Sequence, residues 1–311
     1  MKLATLNDGS RDGQLAVVAR DLKTAHIADA IAPTLQSALD DWAFIAPQLA
    51  ELYEQLNAGR ARRPFDFEPA RCMAPLPRAY QWANGAATAD QAGEDPLLYQ
   101  GGGDLSGPMD DILLAYDEWG IDFEAEVAVI TADVAMGVTP DAAHQQIRLL
   151  MLANEVSLRN LVPPERANGF GFLQSKPATG FSPVAVTPDE LGDSWRGGKV
   201  RLPLRSALNG RLAGQPDAGA DMVFNFPQLI AHLCKTRRAR AGSIVGSGAV
   251  SVTEHMRFGD TIRIEMLDEK GKSVFGAIEQ KLARLERRRS RPRQPPWREP
   301  KFIYRSRKTP R

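Results

Sequence analysis

The feature of the sequence that most restricts its fold is an alternating run, GIDFEAEVAVIT, at residues 120–131. Apolar Phe123 and Ala125 alternate with Glu124 and Glu126, which is the two-residue period of a β-strand. The two glutamates therefore lie on one face of the strand, with like charges side by side. A solvated sheet face explains this pattern, and so does a cation that both carboxylates share.

Short β-like segments dominate the chain from about residue 78 onward. They are predicted at residues 125–130, 147–153, 183–186, 200–203, 243–245, 261–266 and 273–278. The pattern of residues 257–280 predicts a hairpin with its turn at 269–271. Late in the chain, only residues 226–237 show a good helical pattern. Strands joined mostly by loops argue against a doubly wound βαβ fold and favour a mainly β, α+β class.

The first 70 residues predict a small N-terminal module. Residues 2–6 and 14–19 flank the turn-rich NDGSRDG and predict a hairpin. Apolar residues at helical spacing through 34–58 predict a helix that Pro47 interrupts, and the proline-rich segment 62–77 predicts a linker. We therefore expect a small α+β N-terminal domain at 1–72, a larger domain at 73–282 and a tail at 283–311.

The composition is that of an ordinary globular protein, with 43% hydrophobic and 25% charged residues among 311. No apolar run approaches the length of a membrane span, and no signal peptide is recognisable at the start. The two cysteines, Cys72 and Cys234, lack the spacing of a zinc site and favour a reducing cytoplasm. We expect a cytoplasmic protein that has no membrane partner.

Basic residues are concentrated at the C-terminal end. Residues 283–311 hold 12 Lys and Arg against two acids, a net charge of +10, while the rest of the chain carries −9. This segment is rich in Arg and Pro and poor in aliphatic residues, so we predict that it is disordered. A solvated tail explains it better than an arm that binds nucleic acid, because arginine runs alone are a weak signal.

A third acid and two cations follow the glutamate pair. Glu155 comes after an apolar run and lies four residues before Arg159. The two could form a structural ion pair, or they could be a metal ligand beside an arginine that binds an anionic substrate. Lys176 lies in a loop of Gly, Phe, Ser and Pro, where it is either exposed or positioned to stabilise an enolate or carboxylate.

Several segments, in this order, resemble a bacterial member of the fumarylacetoacetate hydrolase family. They include DPLLYQGG, GIDFEAEVAVIT, VSLRNLVP, GFGFLQSKPATGFSPVAV and RFGDTIRIEMLDEKGKSVFGAIEQ, and the likeness extends to about residue 281. The resemblance implies a mainly β sandwich, roll or barrel with a metal in its mouth, usually as a homodimer. It also implies a small oxo-acid or diketo-acid substrate.

The activity that the resemblance implies is hydrolysis of a carbon–carbon bond in a β-diketo acid, such as fumarylacetoacetate or an acylpyruvate. Relatives that isomerise or decarboxylate oxo acids supply one alternative. A catalytically impaired member that binds metal and small oxo-dicarboxylates is another.

The resemblance also assigns roles to individual residues. Glu124, Glu126 and Glu155 match the ligands of a divalent cation, Mg²⁺ or Ca²⁺, with Mn²⁺ as a third candidate. Tyr99, Arg159 and Lys176 match contacts to the substrate, and Arg159 and Lys176 match the groups that stabilise the departing carbanion as an enolate.

The chain departs from the family pattern inside the site. Glu155 stands where the family usually has aspartate, and Asn84 stands where relatives often have an aspartate near the metal. Asn84 can still offer a carbonyl oxygen. Gln91 lies near the place expected for the catalytic histidine, and Ala249 replaces a threonine after VGSG. The expected water-activating group is therefore missing.

The four histidines of the chain offer no obvious substitute. His26, His144 and His232 are not expected to act in catalysis, because most histidines in a chain of this size do not. His255 lies at the shortened lid beside Glu254. Adjacent residues on an extended chain point in opposite directions, so these two are poorly placed as a catalytic pair.

Overall fold

A computed structural model of the protein describes residues 1–85, 95–169, 171–252 and 255–286. Their strands form sheets of 13, five and two strands. The prediction of a mainly β class is therefore confirmed, although the strands of the described residues close no barrel. No helix in this part of the chain is long and apolar enough to cross a membrane.

The N-terminal module forms one end of the large sheet. Its elements are β1 (Lys2–Leu6), β2 (Gln14–Val18), β3 (Thr24–Ile27), α1 (Leu35–Asp40), α2 (Trp42–Asn57) and β4 (Phe65–Asp66). β1 and β2 pair antiparallel, which confirms the predicted hairpin. The two helices bury Leu35, Leu39 and Leu49 in an apolar cluster with residues of β1 and β2.

Two predictions for this module are wrong. The helix predicted over 34–58 is interrupted at Asp41 and not at Pro47. Asp41 has non-helical backbone angles, φ −132° and ψ 49°, whereas α2 continues through Pro47. A proline removes one helical hydrogen bond, and burial of Ile45 and Leu49 on either side outweighs that loss. The segment 62–77 is also more than a linker, since it includes β4 and a bridge between Leu6 and Cys72.

The rest of the chain supplies sixteen strands and three α-helices among the described residues. The strands are β5 (Gln81–Gly85), β6 (Leu98–Gln100), β7 (Asp104–Ser106), β8 (Ile112–Leu114), β9 (Ile121–Thr131), β10 (Ile147–Leu158), β11 (Ala178–Phe181), β12 (Ala185–Val186), β13 (Trp195–Arg196), β14 (Lys199–Val200), β15 (Leu204–Leu208), β16 (Arg211–Gly214), β17 (Ser243–Gly246), β18 (Ser251–Val252), β19 (Thr261–Met266) and β20 (Ile278–Arg284). The helices are α3 (Pro140–His144), α4 (Val162–Ala167) and α5 (Phe226–Leu233). Short 3₁₀ helices cover Pro69–Arg71, Asp117–Trp119, Arg159–Leu161 and Pro188–Ser194.

Ten of the 13 strands of the large sheet lie in the order β4-β3-β2-β1-β12-β10-β9-β17-β5-β6, so β9 and β10 lie near its centre. Off this path, β11 pairs with β10 and β7, and β18 pairs with β9. They pair antiparallel over almost their full length, with Glu155 opposite Glu124. Every residue of β9 is buried. The alternation of apolar and acidic residues therefore does not mark a solvated face, because both faces of β9 are covered by protein.

Two late elements differ from the predicted boundaries. β19 and β20 form the predicted hairpin, but β20 begins at Ile278 instead of at residue 273. The connection includes Gly276, whose φ is 74° and whose Cβ position would be 2.4 Å from Pro183, so this stretch is not extended strand. Helix α5 ends at Leu233, four residues short of the predicted end.

Candidate metal centre

Three carboxylates meet at the centre of the large sheet. Glu124, Glu126 and Glu155 each place one oxygen within 4.8 Å of the others, and their exposed fractions are 4%, 0% and 0%. Glu124 and Glu126 share a face of β9, and the strand register places Glu155 of β10 opposite Glu124. The sheet therefore concentrates three like charges in a place that water scarcely reaches.

Lys176 bridges two of these carboxylates from the loop before β11. Its Nζ lies 2.7 Å from Glu124 Oε2 and 2.7 Å from Glu155 Oε2. Burial alone would lower the pKa of this ammonium, but Glu155 and Glu124 outweigh burial and raise it. With 7% of its surface exposed, Lys176 is a charged group inside the site and not an exposed loop residue.

Arg159 binds two acids on β9. Its Nε donates to Asp122 Oδ2 at 2.7 Å, and an Nη donates to Glu124 Oε1 at 2.6 Å. The alternative of an ion pair between Arg159 and Glu155 is wrong, because Arg159 binds Asp122 and Glu124 of β9 while Glu155 binds Lys176. Asp122 was missed by the sequence analysis, although the two-residue period of β9 places it on the same face as Glu124.

Tyr99 and Asn84 donate hydrogen bonds to the carboxylates. The Tyr99 hydroxyl lies 2.6 Å from Glu155 Oε2, and burial followed by the charge of Glu155 raises the pKa of this phenol well above its ordinary value. The Asn84 Nδ2 lies 2.8 Å from Glu155 Oε2 and 3.0 Å from Glu126 Oε1. Its Oδ1 accepts from the backbone N–H of Gly85 and Gly248, so the amide nitrogen, not the expected oxygen, faces the acids.

One buried oxygen of the cluster, Glu126 Oε2, has no hydrogen-bond partner in the described part of the chain. Burial first, and then Glu155 and Glu124, raise the pKa of Glu126 well above its ordinary value. Together with Asp122, the cluster has four acids against Lys176 and Arg159, a net charge of −2 when all are ionised. An all-oxygen donor set with this charge and an unpartnered buried oxygen fits a hard divalent cation.

The histidines occupy different surroundings. The Nδ1 of His255 lies 2.7 Å from Asp122 Oδ1, so its partner is an acid of β9. Some predictions fall on residues that the structure does not describe. These are Gln91, Glu254 and the basic tail beyond its first four residues. His26, His144 and His232 lie on β3, α3 and α5, and none of them bonds to the three glutamates.

Family models cover nearly all of the described chain. Residues 1–78 match the fumarylacetoacetase N-terminal domain 2, and residues 72–284 match the fumarylacetoacetate (FAA) hydrolase C-terminal domain. The chain belongs to the fumarylacetoacetate hydrolase family. The resemblance predicted from the sequence is thus confirmed, while a bacterial origin stays a prediction.

Relatives within the fumarylacetoacetate hydrolase family differ in activity. A 2,4-didehydro-3-deoxy-L-rhamnonate hydrolase of Sphingomonas sp. is 26% identical over 171 residues, which is 51% of this chain and 57% of that protein. The oxaloacetate tautomerase YisK of Bacillus subtilis is 25% identical over 159 residues, 51% of this chain and 48% of that protein. Family membership therefore does not by itself choose between hydrolysis and isomerisation.

A solved structure of another protein shows the same fold. The maleylpyruvate hydrolase of Sphingobium sp. SYK-6, in complex with manganese(II) ion and pyruvate, superposes with a TM-score of 0.69. The match covers 92% of this chain and 100% of that chain, at 18% sequence identity. At this identity the likeness establishes the fold alone.

Proposed function

We propose that this protein is a divalent-metal-dependent hydrolase that cleaves a carbon–carbon bond in a β-diketo acid, such as fumarylacetoacetate or an acylpyruvate. The observation that carries the proposal is the convergence of Glu124, Glu126 and Glu155 around an unpartnered carboxylate oxygen, with Lys176 bonded to two of them. The hydrolases and the manganese-bound neighbour among its relatives support the same reaction class.

Glu124, Glu126 and Glu155 would hold the cation, and Mg²⁺, Ca²⁺ and Mn²⁺ all suit a set of carboxylate oxygens. When bound, the cation would polarise the oxo groups of the substrate as a Lewis acid. Glu126 matters most to its affinity, because the Oε2 of Glu126 is buried and lacks a partner. A bound cation would also offset the net negative charge of the cluster.

Lys176 would stabilise the enolate that forms when the carbon–carbon bond breaks. Its ammonium is buried and held charged by Glu155 and Glu124, so it acts as a fixed positive charge in a site that solvent scarcely reaches. Tyr99 keeps its proton, and its hydroxyl would turn from Glu155 to donate to an anionic oxygen of the substrate. Arg159 has 35% of its side chain exposed, and it would bind the substrate carboxylate from the open side.

Tautomerisation of an oxo acid is the second candidate. It is favoured by the absence of any histidine between residues 85 and 143, where the family pattern places the water-activating group. A relative with oxaloacetate tautomerase activity belongs to the same family. Moving a proton between carbon and oxygen requires an enolate-stabilising site but no attack by water.

The test is an enol-absorbance assay with metal as the variable. Purified protein is incubated with fumarylacetoacetate, an acylpyruvate or oxaloacetate, with Mg²⁺ or Mn²⁺ or with EDTA. Metal-dependent loss of the diketo acid, with two acids found as products, supports hydrolysis. Loss of the enol form of oxaloacetate alone supports tautomerisation. If none of the three compounds is turned over, both candidate activities are wrong, and the chain is the catalytically impaired family member that only binds metal and small oxo-dicarboxylates.

A double variant, Glu124→Ala with Glu126→Ala, tests the ligand assignment directly. Calorimetric titration with Mn²⁺ should show that this variant no longer binds the cation tightly. The matched control is Glu51→Ala with Glu68→Ala, at two exposed acids remote from the cluster. Unchanged affinity in the first variant would refute the assignment.

We further propose a cytoplasmic homodimer with the domain limits given above. Cys72 and Cys234 are both free and buried, which suits a reducing compartment. Nucleic acid and membranes are not expected as partners. Sedimentation of the purified chain measures the oligomeric state.

A further inference from the structure

The proposed hydrolysis needs a base that takes a proton from water. Glu124, Glu126 and Glu155 would hold the cation, and Glu124 and Glu155 also bind Lys176, so we do not assign this role to any of the three. The base has to be another group that water can reach and that lies beside the cluster.

His255 is such a group, and an acid of the same strand holds it. Its Nδ1 lies 2.7 Å from Asp122 Oδ1, while 69% of the His255 side chain is exposed. Asp122 is buried, with a side-chain exposure of 5%. An exposed imidazole that is anchored through one nitrogen to a buried carboxylate presents its other nitrogen, Nε2, to solvent.

Asp122 is itself fixed on the opposite side. Its other oxygen, Oδ2, accepts from Arg159 Nε at 2.7 Å, and Arg159 also binds Glu124. A hydrogen bond from His255 to Asp122 and the two ion pairs of Arg159 therefore link the imidazole to Glu124 and the acid cluster. Because Asp122 is engaged by Arg159, its carboxylate stays in place to accept the Nδ1–H of the neutral imidazole.

The backbone holds His255 beside the start of β9. Met256, the next residue, is buried and donates its N–H to the carbonyl of Ile121 at 2.7 Å. Asp122 and Glu124 are alternate residues of β9, so their side chains leave the strand on one face about 7 Å apart. His255 thus stands at the outer end of the row of acids, within a substrate's length of the cluster.

We propose that His255 is the general base of this site and that Asp122 is its positioning residue. This assignment rests on the proposed function. It pairs His255 with Asp122 and not with the neighbouring Glu254, which the sequence already indicated to be a poor partner. The partner of the histidine comes from β9, which the sequence places 133 residues away.

The proton and electron balance of the step is complete. Nε2 takes a proton from water as the water oxygen bonds to the carbonyl carbon. The bond from that carbon to the neighbouring carbon then breaks, and its electron pair passes to the enolate beside Lys176. The imidazolium returns its proton to the enolate carbon, so one water is consumed, two acids leave and His255 is again neutral.

Kinetics of His255→Ala test the base. We expect kcat/KM to fall about 10²–10⁴-fold, the usual contribution of a general base, with Mn²⁺ affinity unchanged. Added imidazole should restore part of the rate of His255→Ala in proportion to its concentration, since the position is open to solvent. The matched control is His144→Ala, at an exposed histidine on α3, which should keep the wild-type rate and show no rescue.

Asp122→Asn tests the positioning residue through the tautomer of His255. In the wild type, long-range ¹H–¹⁵N spectra should show the proton of the neutral ring on Nδ1 and a bare Nε2. In Asp122→Asn, kcat/KM should fall by about 10² or more, and the proton should shift toward Nε2. A wild-type ring that carries its proton on Nε2 would overturn the assignment whatever the rates are.

Two failures can be told apart. If the wild type turns over a diketo acid and His255→Ala matches it, the base assignment is wrong and the proposed function stands. If the wild type turns over no oxo acid while its His255 carries the proton on Nδ1, it is the proposed function that fails, and the catalytic role of His255 fails with it.

Discussion

Lys176 and Glu155 form a buried ion pair, with Nζ 2.7 Å from Oε2. The same oxygen accepts from the Tyr99 hydroxyl and from the Asn84 amide, so it has three donors in contact. Lys176 and a divalent cation are thus both attracted to the oxygens of Glu124 and Glu155. The lysine that would stabilise the enolate also competes with the cation for the cluster.

Replacing Lys176 separates these two effects. In Lys176→Met we expect Mn²⁺ to bind about tenfold more tightly, because one positive charge no longer opposes the cation at the carboxylates. Turnover should fall about 10²–10³-fold, because the enolate loses its positive partner. Calorimetry measures the first quantity and steady-state kinetics the second.

The control is Lys23→Met, at an exposed lysine of the N-terminal module, which should change neither value. If Lys176→Met binds Mn²⁺ more weakly than the wild type, then Lys176 supports the ligand geometry and does not compete with the cation.

Removal of the cation should lower stability through the same cluster. At a free Mn²⁺ concentration 100 times its Kd, the cation should raise the free energy of unfolding by about 2.7 kcal/mol over the protein in EDTA. In Glu126→Gln this increment should largely disappear, because the unpartnered Oε2 of Glu126 is replaced by a neutral amide.

Thermal unfolding with and without EDTA measures the increment. Glu68→Gln changes an exposed acid by the same chemistry and should retain the full shift. An equal shift in Glu126→Gln and the wild type would mean that the stabilising cation binds elsewhere.

The sequence predicted the carboxylate cluster well because strand geometry is regular. The two-residue period of β9 fixes which side chains share a face, and the motifs of the resemblance supplied Glu155 and Lys176. What it could not supply is the register of β9 against β10, which places Glu155 opposite Glu124. Register depends on pairing between segments that are distant along the chain.

The contacts of Asp122 escaped prediction for the same reason. Its two partners, Arg159 and His255, are 37 and 133 residues away, and no local pattern connects them. The prediction that Pro47 interrupts the N-terminal helix was wrong for another reason. Pro47 is a strong local signal, yet tertiary burial of the flanking apolar residues decided the outcome.

Gly101 lies directly against the buried side chain of Trp82. A Cβ at Gly101 would lie 1.9 Å from Nε1 of Trp82, the nitrogen that donates to Thr179 at 3.0 Å. Gly101→Ala should therefore displace a buried indole and destabilise the protein by about 1–3 kcal/mol. Gly103→Ala is the matched control, since its Cβ would have no atom within 4 Å.

Urea unfolding of the two alanine variants measures the difference. The summed fluorescence of the five tryptophans should change in the folded state of Gly101→Ala, through Trp82, and stay as in the wild type in Gly103→Ala. Equal stability of the two variants would contradict the close contact between Gly101 and Trp82.

The buried ammonium of Lys2 should make stability rise with pH in the alkaline range. Burial lowers its pKa from 10.5 to about 8, and its Nζ donates to the carbonyls of Ser273, at 3.2 Å, and Val274. Between pH 8 and pH 10.5 the folded chain has released this proton while the unfolded chain still holds it. Because the unfolded state binds more protons there, the free energy of unfolding should increase across the window, by up to about 3 kcal/mol.

Lys2→Met should remove this increase, since no proton is exchanged at the position. Urea unfolding at pH 7.5, 9 and 10 compares the slopes of the variant and the wild type, and Lys23→Met serves as the control that keeps the wild-type slope. If Lys2→Met and the wild type gain stability equally between these pH values, Lys2 is not the group that releases the proton.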